Sequence, residues 1–263
     1  MTTVIILAAG RGSRLNPLTE AAPKCLTELG GISLIESQLN TLRSAGLEDI
    51  IIVTGYRSEM LKIPGTRRLH NANWAKTNMV ETLFIAEKEF CEDILICYSD
   101  ILYERRIIDS LLVSSSDISV AINTNWEPLW NARFEDPLSD AESLRIDNNS
   151  LITEIGNRVT DVNDIQGQFT GLLRVKRTGI VALRKAFSGL RTAKRPWKRY
   201  RNAENAYMTD VLMELILSGE EVKAIPNAGG WIEIDTMCDF ELYNRMLKAG
   251  SLVDFYNPDQ FLQ

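Results

Sequence analysis

Two groups of residues in this sequence are suited to chemistry on phosphate. The first is LAAGRGSRL at 7–15, followed by Pro17, Leu18 and Thr19 and then by Pro23 and Lys24. Glycines at the end of a strand let backbone NH groups approach phosphate oxygens closely, and Arg14 and Lys24 can set positive charge against a polyphosphate. Leu7, Ala8, Ala9, Gly10, Gly12 and Ser13 would form such a triphosphate grip. It is not a Walker loop, because GxxxxGK[ST] is absent, and Leu15 stands where the dinucleotide fingerprint needs its third glycine. A GxG alone is more often a plain turn. The longer pattern AAGxGxRLxPLTxxxPK is far more specific.

The second group is carboxylates. Asp100 ends an apolar run, and Glu233 and Asp235 have the i, i+2 spacing that turns both side chains to one face of an extended segment. Hard oxygens converging from two strands suit Mg²⁺, which keeps several waters and binds through one or two carboxylates plus phosphate. Asp100 by itself could equally cap a strand end. Glu233 could ligate the metal, orient a metal-bound water or pair with a base. His70 is the one histidine, and neither HExxH nor GxSxG occurs, so histidine-based schemes are excluded. Chemistry must rest on carboxylates, lysine, arginine and metal.

These residues need a frame that brings strand ends together. The apolar run at 3–8, ended by a glycine-containing loop, predicts a first strand buried on both faces of a sheet. Helical spacing at 33–45, with Ser33 as N-cap and Gly46 as stop, predicts the first helix. Strands follow at 49–53, 94–98 and 118–123, with a helix at 77–90 between the first two. From 125 to 163 the rhythm changes to short strand-like pieces at 143–146 and 152–155, predicting a β-rich insertion over the site. Helices are expected at 179–187, 202–217 and 236–249, and a strand at 222–225. The expectation is one domain over 1–250 with a tail at 251–263: an α/β, Rossmann-like mixed sheet, mostly parallel, flanked by helices, with ligands beyond the carboxyl ends of its strands.

Composition narrows the function classes. The chain has 263 residues, 45% apolar, with a net charge of −6, which opposes a general affinity for nucleic acid. The apolar run at 4–9 is far short of the roughly 20 residues a membrane span needs, and no leader pattern is seen. A cytoplasmic protein without membrane partner is expected. Cys25, Cys91, Cys97 and Cys238 have no metal-ligand spacing and read as reduced, mostly buried thiols. The segment RTAKRPWKRYR at 191–201 reads as a solvated basic loop or as a lid over an anionic substrate.

The loop motif resembles the signature of nucleotidylyltransferases that activate sugar phosphates and other phosphorylated small molecules. Within that superfamily the chain is most similar to the bacterial phosphocholine cytidylyltransferases and to the phosphoglutamine cytidylyltransferase of capsule phosphoramidate modification. The matching segments are KTNMV at 76–80, YSDILY at 98–103, DPLSDAE at 136–142 and WIEID at 231–235. The resemblance implies Mg²⁺ on Asp100 and Asp235, with Glu233 a further candidate ligand. It implies nucleotide contacts at Gly55, Tyr56, Thr77, Asn78 and Ser99 besides the loop. Within the insertion at 125–163, a tryptophan, Trp126 or its neighbour Trp130, would wall a headgroup pocket and Arg133 would hold the acceptor's phosphate, while Gly171 would lie on a strand close to the acceptor, although a bulge also explains that glycine.

The implied reaction is in-line attack by a phosphate or phosphonate oxygen on the α-phosphorus of CTP. Lys24, Arg14, Asp100 and Asp235 would form the catalytic set, and a monomer or homodimer would make a CDP- or CMP-linked product for surface decoration. The competing reading is a sugar-1-phosphate nucleotidylyltransferase using dTTP, UTP or GTP, against which stands the absence of a PxGTAG-like segment. An inert nucleotide-binding regulator is opposed by the presence of Lys24, Asp100 and Asp235 together.

Overall fold

The apolar runs assemble into one mixed sheet with a core on each face. The computed structural model describes residues 2–192 and 203–257. Strand β1 (Thr2–Ala8) sends Val4, Ile6 and Ala8 into one core and Ile5 and Leu7 into the other. That is why an unbroken apolar run, and not an alternating one, specifies it.

After the glycine loop, a short hairpin of β2 (Glu28–Leu29) and β3 (Ile32–Ser33) leads into α1 (Leu34–Ser44). Ser33 caps α1 as expected, in a reciprocal pair with Glu36, which satisfies two otherwise orphaned NH groups. Strands β4 (Ile50–Thr54) and β5 (Arg67–His70) then add in parallel on one side of β1. Helix α2 (Met79–Phe84) leads to β6 (Asp93–Tyr98), parallel on the other side of β1. There follow β7 (Ile101–Tyr103), α3 (Arg105–Val113), β8 (Ile118–Asn123) and α4 (Trp126–Arg133). Strands β9 (Glu142–Ile146) and β10 (Ile152–Arg158) form an antiparallel hairpin. Then come β11 (Gln168–Val175), α5 (Ile180–Thr192), α6 (Met208–Leu217), β12 (Val222–Asn227), β13 (Trp231–Glu233) and α7 (Met237–Ala249).

The seven-stranded order is β12-β8-β11-β6-β1-β4-β5, with β11 antiparallel to both neighbours and the other pairs parallel. Helices α1, α3, α4 and α7 cover one face, and α2, α5 and α6 the other. Among the described residues no helix is long and apolar enough to cross a membrane.

Three expectations change. The stretch from 125 to 163, expected to be β-rich, opens with helix α4. Trp126, Leu129 and Trp130 are buried at helical spacing there, and Pro128 falls in the first turn, where its missing NH costs nothing. Helix α2 is shorter than 77–90, with Asn78 as its N-cap. All four cysteines are free, but only Cys25 and Cys97 are buried; burial pushes each of those thiols up to about 12. Of the basic segment at 191–201, only Arg191 and Thr192 lie within the described residues.

Candidate active site

A small ribbon brings the two key carboxylates side by side. β7 pairs antiparallel with β13, and the ladder continues as the Ile234 NH donates to the Asp100 carbonyl at 2.9 Å. Lys24 arrives from the turn after Pro23. Its ammonium lies 2.7 Å from Asp100 Oδ2 and 2.7 Å from Asp235 Oδ1, while Arg14 Nη2 is 2.6 Å from Asp235 Oδ2. Burial works against the charge on Lys24, but Asp100 and Asp235 outweigh it and raise its pKa above the ordinary lysine value. Gly12, at φ +72°, lets the loop lie along the lysine stem; a Cβ there would stand 2.8 Å from Lys24 Cβ. The Thr19 hydroxyl fixes that turn by donating to the Gly12 carbonyl at 2.9 Å.

Glu233 faces another cation, with Arg133 Nη2 3.6 Å from its carboxylate. Burial and then Asp100 push its carboxyl up to about 8, with Arg133 opposing. Among the described residues no group of three or more His, Cys, Asp or Glu side chains is arranged to hold a metal. Asp100 and Asp235 nevertheless converge on a cation between them. Their hard oxygens fit a Mg²⁺ that is completed by phosphate and water and not by a protein cage.

Two cavities open beside this cluster. The smaller, about 310 Å³, is lined by Leu7 near the end of β1, by Ala9, Gly10, Gly12 and Ser13 of the loop and, opposite, by Thr77, Asn78 and Ser99. Trp74, Met79, Thr82 and Tyr98 complete its wall and were not foreseen. Ala8, Gly55 and Tyr56 do not line it. Ala8 packs into the core on the far face of β1, as strand alternation requires. Gly55 supports Trp74, whose Cβ would be 2.5 Å from a Cβ at residue 55. Tyr56 stands edge-on to the Trp74 ring at 5.3 Å and donates its hydroxyl to the Glu20 carbonyl. The two residues thus set the tryptophan that lines the cavity. Asn78 lines it while capping α2, accepting from the Met79 NH at 2.9 Å.

The larger cavity, about 650 Å³, shares Arg14, Met79, Tyr98 and Asp235 with the smaller. Hairpin β9–β10 contributes Glu142 and Arg158, and the turn before it contributes Asp140. The hairpin is pinned to β11 by Gln168, whose Nε2 donates to the Glu142 carbonyl at 2.7 Å. Gly171 lines this cavity at φ +75°, where a Cβ would meet the Tyr98 ring at 2.8 Å. The β11–β8 register also shifts between Phe169 and Leu173, so Gly171 serves both a bulge and a close approach.

Trp126 and Arg133 line neither cavity. Trp126 is buried against Trp130, and Arg133 is turned to Asp239 with Nε 2.9 Å from Oδ1. It is Trp130 that reaches the larger cavity, its indole NH donating to Asp140 at 3.1 Å. The i, i+4 spacing from Trp126 was the available signal for the helix, masked by the β-rich reading of the whole insertion.

Comparison with known proteins gives the family and the fold. The family model of the MobA-like NTP transferase domain matches residues 4–149. The CTP:phosphoglutamine cytidylyltransferase of Campylobacter jejuni is 34% identical over 250 residues, 90% of this chain and 97% of that protein. The choline-phosphate cytidylyltransferase of Streptococcus pneumoniae is 34% identical over 115 residues, 42% of this chain and 50% of its own length. The inositol-1-phosphate CTP transferase from T. maritima superposes with a TM-score of 0.70 at 21% identity, covering 94% of this chain and 96% of that one. At that identity the superposition speaks for the fold alone.

Proposed function

Because the chain belongs to the MobA-like NTP transferase family and is therefore a nucleotidyltransferase, we propose that it transfers CMP from CTP to a phosphate or phosphonate oxygen of a small non-sugar molecule, releasing pyrophosphate. One observation carries the reading: a loop-lined cavity and a side-chain-lined cavity meet at Arg14 and Asp235, beside Lys24 and Asp100. The nucleotide would occupy the first and the acceptor the second. Cytosine is favoured by the cytidylyltransferases among the relatives, with the Trp74 ring as one wall for the base.

The acceptor oxygen attacks the α-phosphorus in line, the bond to the leaving pyrophosphate breaks, and no covalent enzyme intermediate forms. Mg²⁺, held by Asp100 and Asp235 with the nucleotide, would offset the negative charge that gathers on the phosphates. Lys24 and Arg14 place fixed cations where that charge develops, and the glycine loop supplies NH groups. An acceptor oxygen already ionised at neutral pH needs no strong base, so the lack of a histidine in the site is no handicap. Arg158 with Asp140 and Glu142 gives the acceptor cavity charges of both signs. That mixture suits acceptors such as phosphoglutamine, phosphocholine or an aminoalkyl phosphonate, with a CDP- or CMP-linked product for surface decoration.

The test is pyrophosphate release with Mg²⁺, offering CTP, UTP, dTTP, ATP and GTP against phosphoglutamine, phosphocholine, alkylphosphonates and sugar 1-phosphates, with Asp100→Ala as control. CTP-selective turnover with a non-sugar acceptor, lost in the control, is expected. Turnover only with a sugar 1-phosphate would overturn the proposal.

A further inference from the structure

Arg133 and Asp239 form an ion pair that lines neither of the two cavities. Their side chains are 1% and 2% exposed. Arg133 donates from Nε and Nη2 to the two oxygens of Asp239 at 2.9 and 3.2 Å. Its Nη1 is buried without a hydrogen-bond partner. A sealed pair of this kind is a poor source of stability, since desolvation offsets most of the attraction. The rest of the Asp239 hydrogen-bonding capacity points elsewhere.

Asp239 Oδ2 accepts from the Thr236 NH at 2.9 Å and the Thr236 hydroxyl at 3.0 Å, while the Asp239 NH donates back to Thr236 Oγ1 at 3.2 Å. Those contacts close the capping box of α7. The same oxygen also accepts from the backbone NH of Asp235 at 3.0 Å, a bond no capping box requires. Asp235 is the residue whose carboxylate meets Lys24 and Arg14. On its other side Arg133 Nη2 approaches Glu233 at 3.6 Å. One guanidinium on α4 thus reaches carboxylates that bracket Asp235 in the chain.

We propose that Arg133 and Asp239 are positioning residues for the nucleotidyl transfer, fixing the backbone of Asp235 so that its carboxylate stays aimed at the metal and at Lys24. This rests on the reading of Asp235 as a metal-holding carboxylate. Arg133 then acts through Asp239 and touches neither nucleotide nor acceptor.

The test compares wild type, Asp239→Asn, Arg133→Gln, their double variant and Asp100→Ala in two measurements. One is Mn²⁺ titration in the presence of α,β-methylene CTP, which cannot be split at the reacting bond; the other is steady-state kinetics. Asp239→Asn and Arg133→Gln are each expected to weaken Mn²⁺ binding and lower kcat by roughly tenfold or more. The acceptor KM should stay within about twofold, and the double variant should be little worse than either single one. If Arg133→Gln raises the acceptor KM while Mn²⁺ binding is unchanged, the guanidinium contacts the acceptor and the proposal fails. Unchanged metal binding and kcat in Asp239→Asn would reduce the pair to a helix cap and sink it equally. Should these variants not fold, Arg133→Lys, which keeps the charge but loses the planar fork, carries the same test with a smaller shift in the same direction. Asp100→Ala separates the layers: if it leaves Mn²⁺ affinity untouched, the metal assignment itself is wrong and the proposal falls with it.

Discussion

The two cavities that meet at Arg14 and Asp235 are built by opposite means. The smaller owes much of its wall to one segment, Leu7 to Ser13, whose shape depends on backbone conformation at Gly12 and on the Thr19 anchor. The larger takes its wall from side chains on the turn before β9, the β9–β10 hairpin, β11 and the start of α6. A triphosphate can be gripped by NH groups that any sequence supplies once the loop is shaped. A small acceptor must be recognised by particular side chains placed from several elements. Changes on the first side should therefore strike the chemical step, and changes on the second should strike acceptor affinity.

The sharpest way to break that division is Lys24→Met. This substitution removes the cation between Asp100 and Asp235, which under the proposed function is a fixed charge set against the phosphates. The expected loss in kcat is on the order of a hundredfold to a thousandfold, with the acceptor KM little changed. A loss confined to the acceptor KM would mean that Lys24 serves the other cavity and that the division is drawn in the wrong place.

The same contrast decided what could be read in advance. That the loop, Asp100 and Asp235 come together was legible because they follow a local pattern: glycines at a strand end, and carboxylates where apolar runs stop. Even Gly171 showed itself, since a glycine inside a strand pattern marks a bulge or close approach. Trp74 and Tyr98 were missed because a ring that walls a cavity looks in sequence like a ring in the core. Arg133 was assigned to the acceptor from its place in the insertion, but nothing local to it announces Asp239 as its partner. That contact exists only once α4 and α7 pack on the same face of the sheet. Helix α3 went unread, although its buried Ile107, Ile108 and Leu111 have helical spacing.

On the acceptor side, Arg158→Gln gives a smaller and different effect. Arg158 lines the larger cavity from the end of β10 and does not line the smaller one. Losing a charge-assisted contact to an anionic acceptor should raise the acceptor KM roughly tenfold, with the CTP KM unchanged. Initial rates with each substrate varied in turn would show it. An equal rise in the CTP KM would show that the two cavities do not bind independently, and the comparison would then have to be redrawn with the hairpin serving both substrates.

The smallest effect belongs to neither cavity and marks the limit of the contrast. Asp93 starts β6, at the other end of the strand from Tyr98 and Asp100. Its carboxylate accepts from Arg174 Nη2 at 2.5 Å and from the Arg177 NH at 2.9 Å. Burial favours the neutral form of Asp93, but these two partners outweigh it and lower its pKa. A carboxyl with a depressed folded-state pKa adds stability that is fully present above the unfolded-state value, about 4, and fades as pH falls through the lowered one. Asp93→Asn should therefore lower Tm by a similar margin from neutral pH down to about 5, and that margin should shrink on further acidification. Neutral-pH kcat and both KM values should not move, because the site is held beyond the opposite end of β6. A margin that stays constant into strong acid would mean that the aspartate contributes through packing and not through charge, whereas a change in kcat would show that the far end of β6 bears on the position of Asp100.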